Sequence, residues 1–294
     1  MRFNILCILL LISILSSVDV FSQDMDAGIS SMGRRDLRLN KDRDESKFII
    51  TNNLGFSGKD PIDGSKFTVN TITAEGDAHI YKSSRIYFKL AYGITAGPIA
   101  TEKGPGDMIW LFYFDVPLPI IGDWNVSMGS KFSSGSATLD GLPVVYQPGL
   151  GTNDMLLGFG RNFGIANIYF GYQKPFGRSN NAATQLRRGD DVMFRAGITQ
   201  PFKEGFFQAE ILGIKRIQKS NVLVIYSDPQ QYIDVEGSNE LQLNVLGKVS
   251  VQTSKNINIE ALVALPLLTR DSNIDGLKRA FSISLSAVFY FKLD

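Results

Sequence analysis

The chain has 294 residues, and its 30 lysines and arginines against 29 aspartates and glutamates leave a formal charge of +1, so no basic excess points to a nucleic-acid partner. One cysteine (Cys7) excludes a disulfide framework, and one histidine (His79) with no cysteine beyond Cys7 excludes an ordinary zinc site. After residue 22 no apolar run approaches the roughly 20 residues of a membrane helix, but barrel strands leave a much weaker hydropathy signal.

Met1–Asn4 carries one positive charge, and residues 5–15 are uninterruptedly apolar. This layout predicts a secretory signal peptide over residues 1–22, with an apolar core too short to span a membrane. Cys7 lies inside the apolar run and not at its end, so no lipid anchor is expected. Residues 23–46 are charged and lack periodicity, and are expected to form a flexible periplasmic tail or a small plug.

From residue 47 to the end the sequence alternates at period two, as a strand with two unlike faces does. A first strand is expected near 47–56. Segment 68–81 sets Ile72, Ala74, Ala78 and Ile80 against Thr71, Thr73, Glu75, Asp77 and His79. Segment 85–95 sets Phe88, Leu90 and Ile94 against Lys89; segment 107–116 sets Trp110, Phe112 and Phe114 against Leu111, Tyr113 and Asp115. The alternation continues through 123–132, 154–160, 167–173, 192–199, 207–212, 241–251 and 257–265. The last segment, 280–293, puts Phe281, Ile283, Leu285, Phe289 and Phe291 opposite Ser282, Ser284, Ser286, Tyr290 and Lys292. Most segments have the roughly 9–11 residues that carry a tilted strand across a bilayer.

The connections sort into two kinds. Those near 82–84, 117–122, 162–164, 201–205 and 253–255 are short, and those between them are longer, notably 133–150 and 218–238. Alternation of short and long links on an even strand count predicts an all-β fold: a transmembrane antiparallel up-and-down β-barrel of about 12 strands over residues 47–294. The expected location is the outer membrane of a Gram-negative bacterium, with lipid around the barrel and the barrel-assembly machinery as a partner during biogenesis. Trp110, Trp124, Phe206, Phe289, Tyr290 and Phe291 lie near strand ends and are expected in interfacial girdles.

Parity then assigns the inner face. It carries Glu75, Asp77, His79, Lys89, Tyr113, Asp115, Lys131, Asp154, Arg195, Glu210, Lys248 and Glu260, expected to form ion-pair ladders and polar contacts for a small-molecule solute. Leu111, Leu156, Tyr169, Leu212, Ile214 and Leu246 share that face, and a barrel of about 12 strands has only a modest interior. Such a lining suits passive passage of a small hydrophobic or amphipathic molecule. No catalytic residue, metal or cofactor is expected. His79 falls on the lumen face beside Glu75 and Asp77, whereas a barrel lipase would display its serine–histidine site to the bilayer, and the glycines of 158–164 do not fit a dinucleotide motif. Asp228, Asp234, Glu236 and Glu240 read as solvated loop charge rather than calcium ligands. The alternative function is a non-transporting outer-membrane barrel, an adhesin or structural protein acting through its extracellular loops.

Three stretches occur in order: "SMGSKFSSGSAT" (127–138), "QPGLGTNDMLLGFG" (147–160) and "RRGDDVMFRAGI" (187–198). Together they resemble the bacterial outer-membrane barrel family associated with the meta-pathway of phenol degradation. The resemblance covers about a quarter of the chain, and implies a barrel that helps small, often hydrophobic compounds across the outer membrane. The chain departs from many such barrels by ending Lys292-Leu293-Asp294 after Phe291. From the residues alone, Gln147–Gly151 is a turn-rich return from a long loop, because proline fixes φ and glycine permits positive φ.

Overall fold

The computed structural model describes residues 30, 32, 45–57, 67–81, 84–118, 122–224, 231–273 and 279–292. The expected signal peptide and most of segment 23–46 lie outside them. The strands in chain order are β1 (Ser46–Ser57), β2 (Thr68–Tyr81), β3 (Ser84–Ala96), β4 (Thr101–Pro105) and β5 (Met108–Leu118). Then come β6 (Gly122–Phe132), β7 (Asn153–Phe163), β8 (Ala166–Phe176), β9 (Asp191–Phe202), β10 (Gly205–Arg216) and β11 (Asn221–Val224). The last are β12 (Gln231–Asp234), β13 (Leu241–Ser254), β14 (Ile257–Leu268) and β15 (Arg279–Phe291).

All of these except β4, β11 and β12 close a 12-strand barrel, each strand antiparallel to its neighbours in sequence. Closure is made by β15, which returns to pair with β1 from Ser46↔Phe291 to Phe56↔Phe281. A closed barrel leaves no strand edge with unpaired backbone groups, which is what lets strands stand in a medium without water.

The period-two pattern decides which side of the wall each residue takes. Along β2, Thr71, Thr73 and Glu75 are buried inside while Ile72 is 50% exposed on the outside. Leu90, Met128, Ile198, Ile211 and Leu285 are exposed in the same way, and Trp124, Phe159, Phe170 and Phe194 form a ladder across β6–β9 with ring centroids 5.1–5.9 Å apart. The outer face is therefore a continuous apolar surface, far larger than a water-soluble monomer exposes. The hydroxyls of the last strand face inward and pair with β1: Thr51 Oγ1 and Ser286 Oγ are 2.9 Å apart, and Ser284 donates to Asn53.

Strands run further than the alternation alone marks, so the links 82–83, 164–165, 203–204 and 255–256 are tighter than expected. Links 164–165, 203–204 and 255–256 lie at one end of the barrel and 133–152 at the other. β4 extends the β3 hairpin at the long-loop end, and β11–β12 make the loop 218–238 a two-stranded ribbon. Two aromatics depart from the girdle assignment. Phe206 and Tyr290 are both 8% exposed and point inward, because parity places Phe206 with Gln208 and Glu210 on the lumen face. There its ring lies 5.0 Å from Lys248 Nζ.

Candidate solute path through the barrel

At the long-loop end the connection 133–152 folds into the mouth instead of standing away from it. Leu139–Gly141 and Val144–Tyr146 form single 3-10 turns. Gln147, fully buried, holds them together: the Leu139 amide donates to its Oε1 (2.8 Å), and its Nε2 donates to the carbonyls of Leu139 and Leu142 (both 3.0 Å). Asn181 ties in the next loop by donating to the carbonyls of Ala137 (2.7 Å) and Leu142 (2.9 Å). Tyr146 packs against Phe67 with ring centroids 5.0 Å apart and planes tilted by 60°. Gly151 has φ of 68°, the left-handed region where a side chain is strained.

Beneath this lid is a cluster of charges, none more than 6% exposed. Asp191 accepts from Arg188 Nη2 (3.0 Å), from Arg216 Nε (3.1 Å) and Nη2 (3.0 Å), and from Arg270 Nη2 (3.2 Å). Asp154 faces Lys131 (3.2 Å) and Arg188 (3.4 Å) and accepts from Gln173. Asp107 faces Lys131 (3.2 Å) and accepts from the amides of Gly135 (3.2 Å) and Leu150 (2.9 Å). Three carboxylates thus stand against four cations. Buried charges persist only when each is multiply paired, so this cluster pins β6, β7, β9, β10 and the loops above them in one arrangement.

Below the charges the lumen narrows to an apolar belt. Ile109, Leu111, Leu156, Met193, Leu212, Ile214 and Leu246 meet there with Tyr87, Tyr113 and Tyr169. Tyr169 shares a hydrogen bond with Ser127, and its ring crosses Gly158 and Gly160, where a Cβ would overlap it. Two residues from the segment before β1 lie in the same place. Met32, 0% exposed, packs in the belt, and the Ser30 carbonyl accepts from Arg195 Nη2 (2.8 Å).

Toward the short-turn end the wall opens into a cavity of about 90 Å³. Its lining includes four cations (Lys47, Arg85, Arg195, Lys248) and four carboxylates (Glu75, Asp77, Glu210, Glu260). They pair across the strands: Arg85–Asp77 at 2.6 Å, Lys47–Asp77 at 3.6 Å, Lys248–Glu260 at 3.5 Å and Arg195–Glu210 at 3.9 Å. Tyr87 donates to Glu75 (3.0 Å). Ile49, Leu246, Leu262 and Tyr113 supply apolar wall between the charges.

The structure brings seven of the residues assigned inward from sequence into this cavity: Glu75, Asp77, Tyr113, Arg195, Glu210, Lys248 and Glu260. Asp154 and Lys131 belong to the mouth cluster instead, and Lys131 with Lys89 lines a second, smaller cavity. Asp115 accepts from Asn125 (3.1 Å), and His79 sits near the short-turn end with its backbone amide on Ser46. Neither lines the larger cavity. Among the acidic loop residues, Glu236 pairs with Lys219 (2.6 Å) within the loop, and Glu240 accepts from the Asp271 amide of the β14–β15 connection. Arg188, Arg216 and Arg270 were not identified from sequence. Arg216 has inward parity at the end of β10, whereas Arg188 and Arg270 sit in loops where no period marks a face.

No protein-family model matches the sequence, so the family resemblance rests on the three motifs alone. No curated protein matches the sequence either. Among solved structures, the chain is similar to an outer membrane channel from Pseudomonas putida F1, with a TM-score of 0.62 at 9% identity over 86% of this chain and 97% of that one. It is similar to the transport unit of the autotransporter AIDA-I from Escherichia coli, with a TM-score of 0.50 at 13% identity over 92% and 96%. The translocator domain of the autotransporter NalP from Neisseria meningitidis gives 0.50 at 11% over 87% and 91%. At these identities the likeness is one of fold.

Proposed function

We propose that the protein is an outer-membrane channel for passive passage of small hydrophobic or amphipathic molecules, carrying out no covalent chemistry. The observation that carries this reading is the charge-balanced, partly apolar cavity inside a closed barrel whose outer face is apolar. Balanced charge gives no strong preference for either ion sign, while the apolar belt above it favours a body without charge. The fold shared with the Pseudomonas putida channel supports the reading, as do the three motifs shared with the phenol-degradation barrel family. In this proposal residues 1–22 are removed on export, the barrel-assembly machinery inserts the chain, and the long loops face outward. Passage requires the 133–152 lid and Met32 to give way.

The test is planar-bilayer conductance and vesicle swelling with a neutral aromatic solute, 2-phenylacetamide, on refolded protein of heat-modifiable gel mobility. The expected result is low activity in the wild type and clear passage when residues 138–146 are replaced by a short glycine-serine link and Met32 by glycine. A folded barrel that passes neither ions nor solute with that lid removed overturns the reading.

A further inference from the structure

Lys89 on β3 is 2% exposed, and among the described residues its ammonium makes no hydrogen bond or ion pair. Its register partner on β2 is Glu75, so a cross-strand ion pair is the default arrangement. The two side chains turn apart instead. Glu75 accepts from Thr73 (3.3 Å) and Tyr87 (3.0 Å) and lines the larger cavity, while Lys89 lines a separate cavity of about 20 Å³ beneath the loop at Pro148 and Leu150. That space admits one compact group. Its charged walls are Lys89, Lys131 and Asp107, and the last is already occupied by Lys131 and by two backbone amides. Lys131 is held by Asp107 and also by Asp154 (3.2 Å), so among the described residues Lys89 is the wall cation that no ion pair neutralises, and a buried charge left without a counterion is costly.

We infer that this cavity is an anion site in which Lys89 pairs with a compact monoanionic group, such as the carboxylate head of a permeating aromatic or aliphatic acid. The inference rests on the reading of the barrel as a solute path, and it narrows the solute class. Ile109, Ala91 and Pro148 belong to the lining as well, so the cavity takes the anionic head alone and the body of such an acid lies outside it in the lumen.

The experiment is calorimetric titration of the refolded full-length barrel with phenylacetate, 2-phenylacetamide, formate and chloride, on wild type and Lys89→Met. Phenylacetate is expected to bind at least tenfold more tightly than the amide, and Lys89→Met to erase that preference while leaving amide binding unchanged. Formate or chloride binding that depends on Lys89, without phenylacetate binding, keeps the anion site and assigns it to free small anions. Equal affinity for acid and amide in the wild type, absence of any anion binding, or an acid preference that survives in Lys89→Met overturns the inference. The wild-type comparison stands even where the variant fails to fold. Passage of 2-phenylacetamide with no acid preference removes the Lys89 site alone, and acid binding without passage removes the channel reading alone.

Discussion

Replacing Asp191 by alanine probes what keeps the long-loop end shut. The wild-type carboxylate holds Arg188, Arg216 and Arg270 through four contacts of 3.0–3.2 Å, with every side chain at most 1% exposed. Its removal leaves two carboxylates of the cluster, Asp107 and Asp154, against four cations, and takes the Asp191 contacts from Arg216 and Arg270. Breaking a buried pair in this way costs about 3–5 kcal/mol. At about 2–4 °C per kcal/mol for a domain of this size, the midpoint of the heat-modifiable gel transition should fall by roughly 6–20 °C. The strain is local to the mouth, so the lid should loosen before the barrel does. Trypsin should then cut after Arg187 and Arg188, which lie within a loop held down by Asn181 and the cluster. A variant that melts within 2 °C of wild type and resists trypsin equally would falsify the argument. It would mean that the apolar contacts of Tyr146 and Leu186 alone close the mouth.

Three further outcomes follow from the same geometry. Gln147→Ala removes three hydrogen bonds inside the lid, each contributing about 0.5–1.5 kcal/mol; conductance in planar bilayers should become more frequent while the gel mobility of the folded barrel is kept. Gly158→Val places a Cβ against the Tyr169 hydroxyl and should cost about 1–3 kcal/mol in a urea refolding series, whereas an unchanged midpoint would mean the ring moves freely. Ile211 and Ile233 are similarly exposed, at 45% and 49%, but only Ile211 is on the barrel wall. Ile211→Arg should destabilise the barrel in lipid vesicles by about 2–4 kcal/mol and Ile233→Arg by almost nothing; equal effects would mean that the wall does not face lipid.

The alternation from Thr71 to Ile80, and from Phe281 to Phe291, was sufficient to assign each wall residue to a face. A strand's side chains have period two whatever the strand later pairs with. Link lengths sorted the two ends for a similarly local reason. Phe206 shows the limit of composition used without parity: an aromatic near a strand end suggested the outer girdle, and its even position put it in the lumen beside Lys248.

What the amino-acid order determined by itself was therefore the barrel, its sidedness and the polar inventory of its interior, because these depend on spacing along one chain. Only the tertiary structure decided how that inventory is shared out. Asp154 and Asp191, both within the quoted motifs, are bridged by Arg188, and Asp191 is held as well by Arg216 and Arg270, which come from other parts of the chain. Glu75 and Lys89 face each other in register and yet turn to different cavities. Register brings residues within reach, but the choice of partner depends on which neighbours from other strands and loops fill the space between them. That choice is a balance of desolvation and pairing across the whole lumen, and it is not encoded in the period of any one strand.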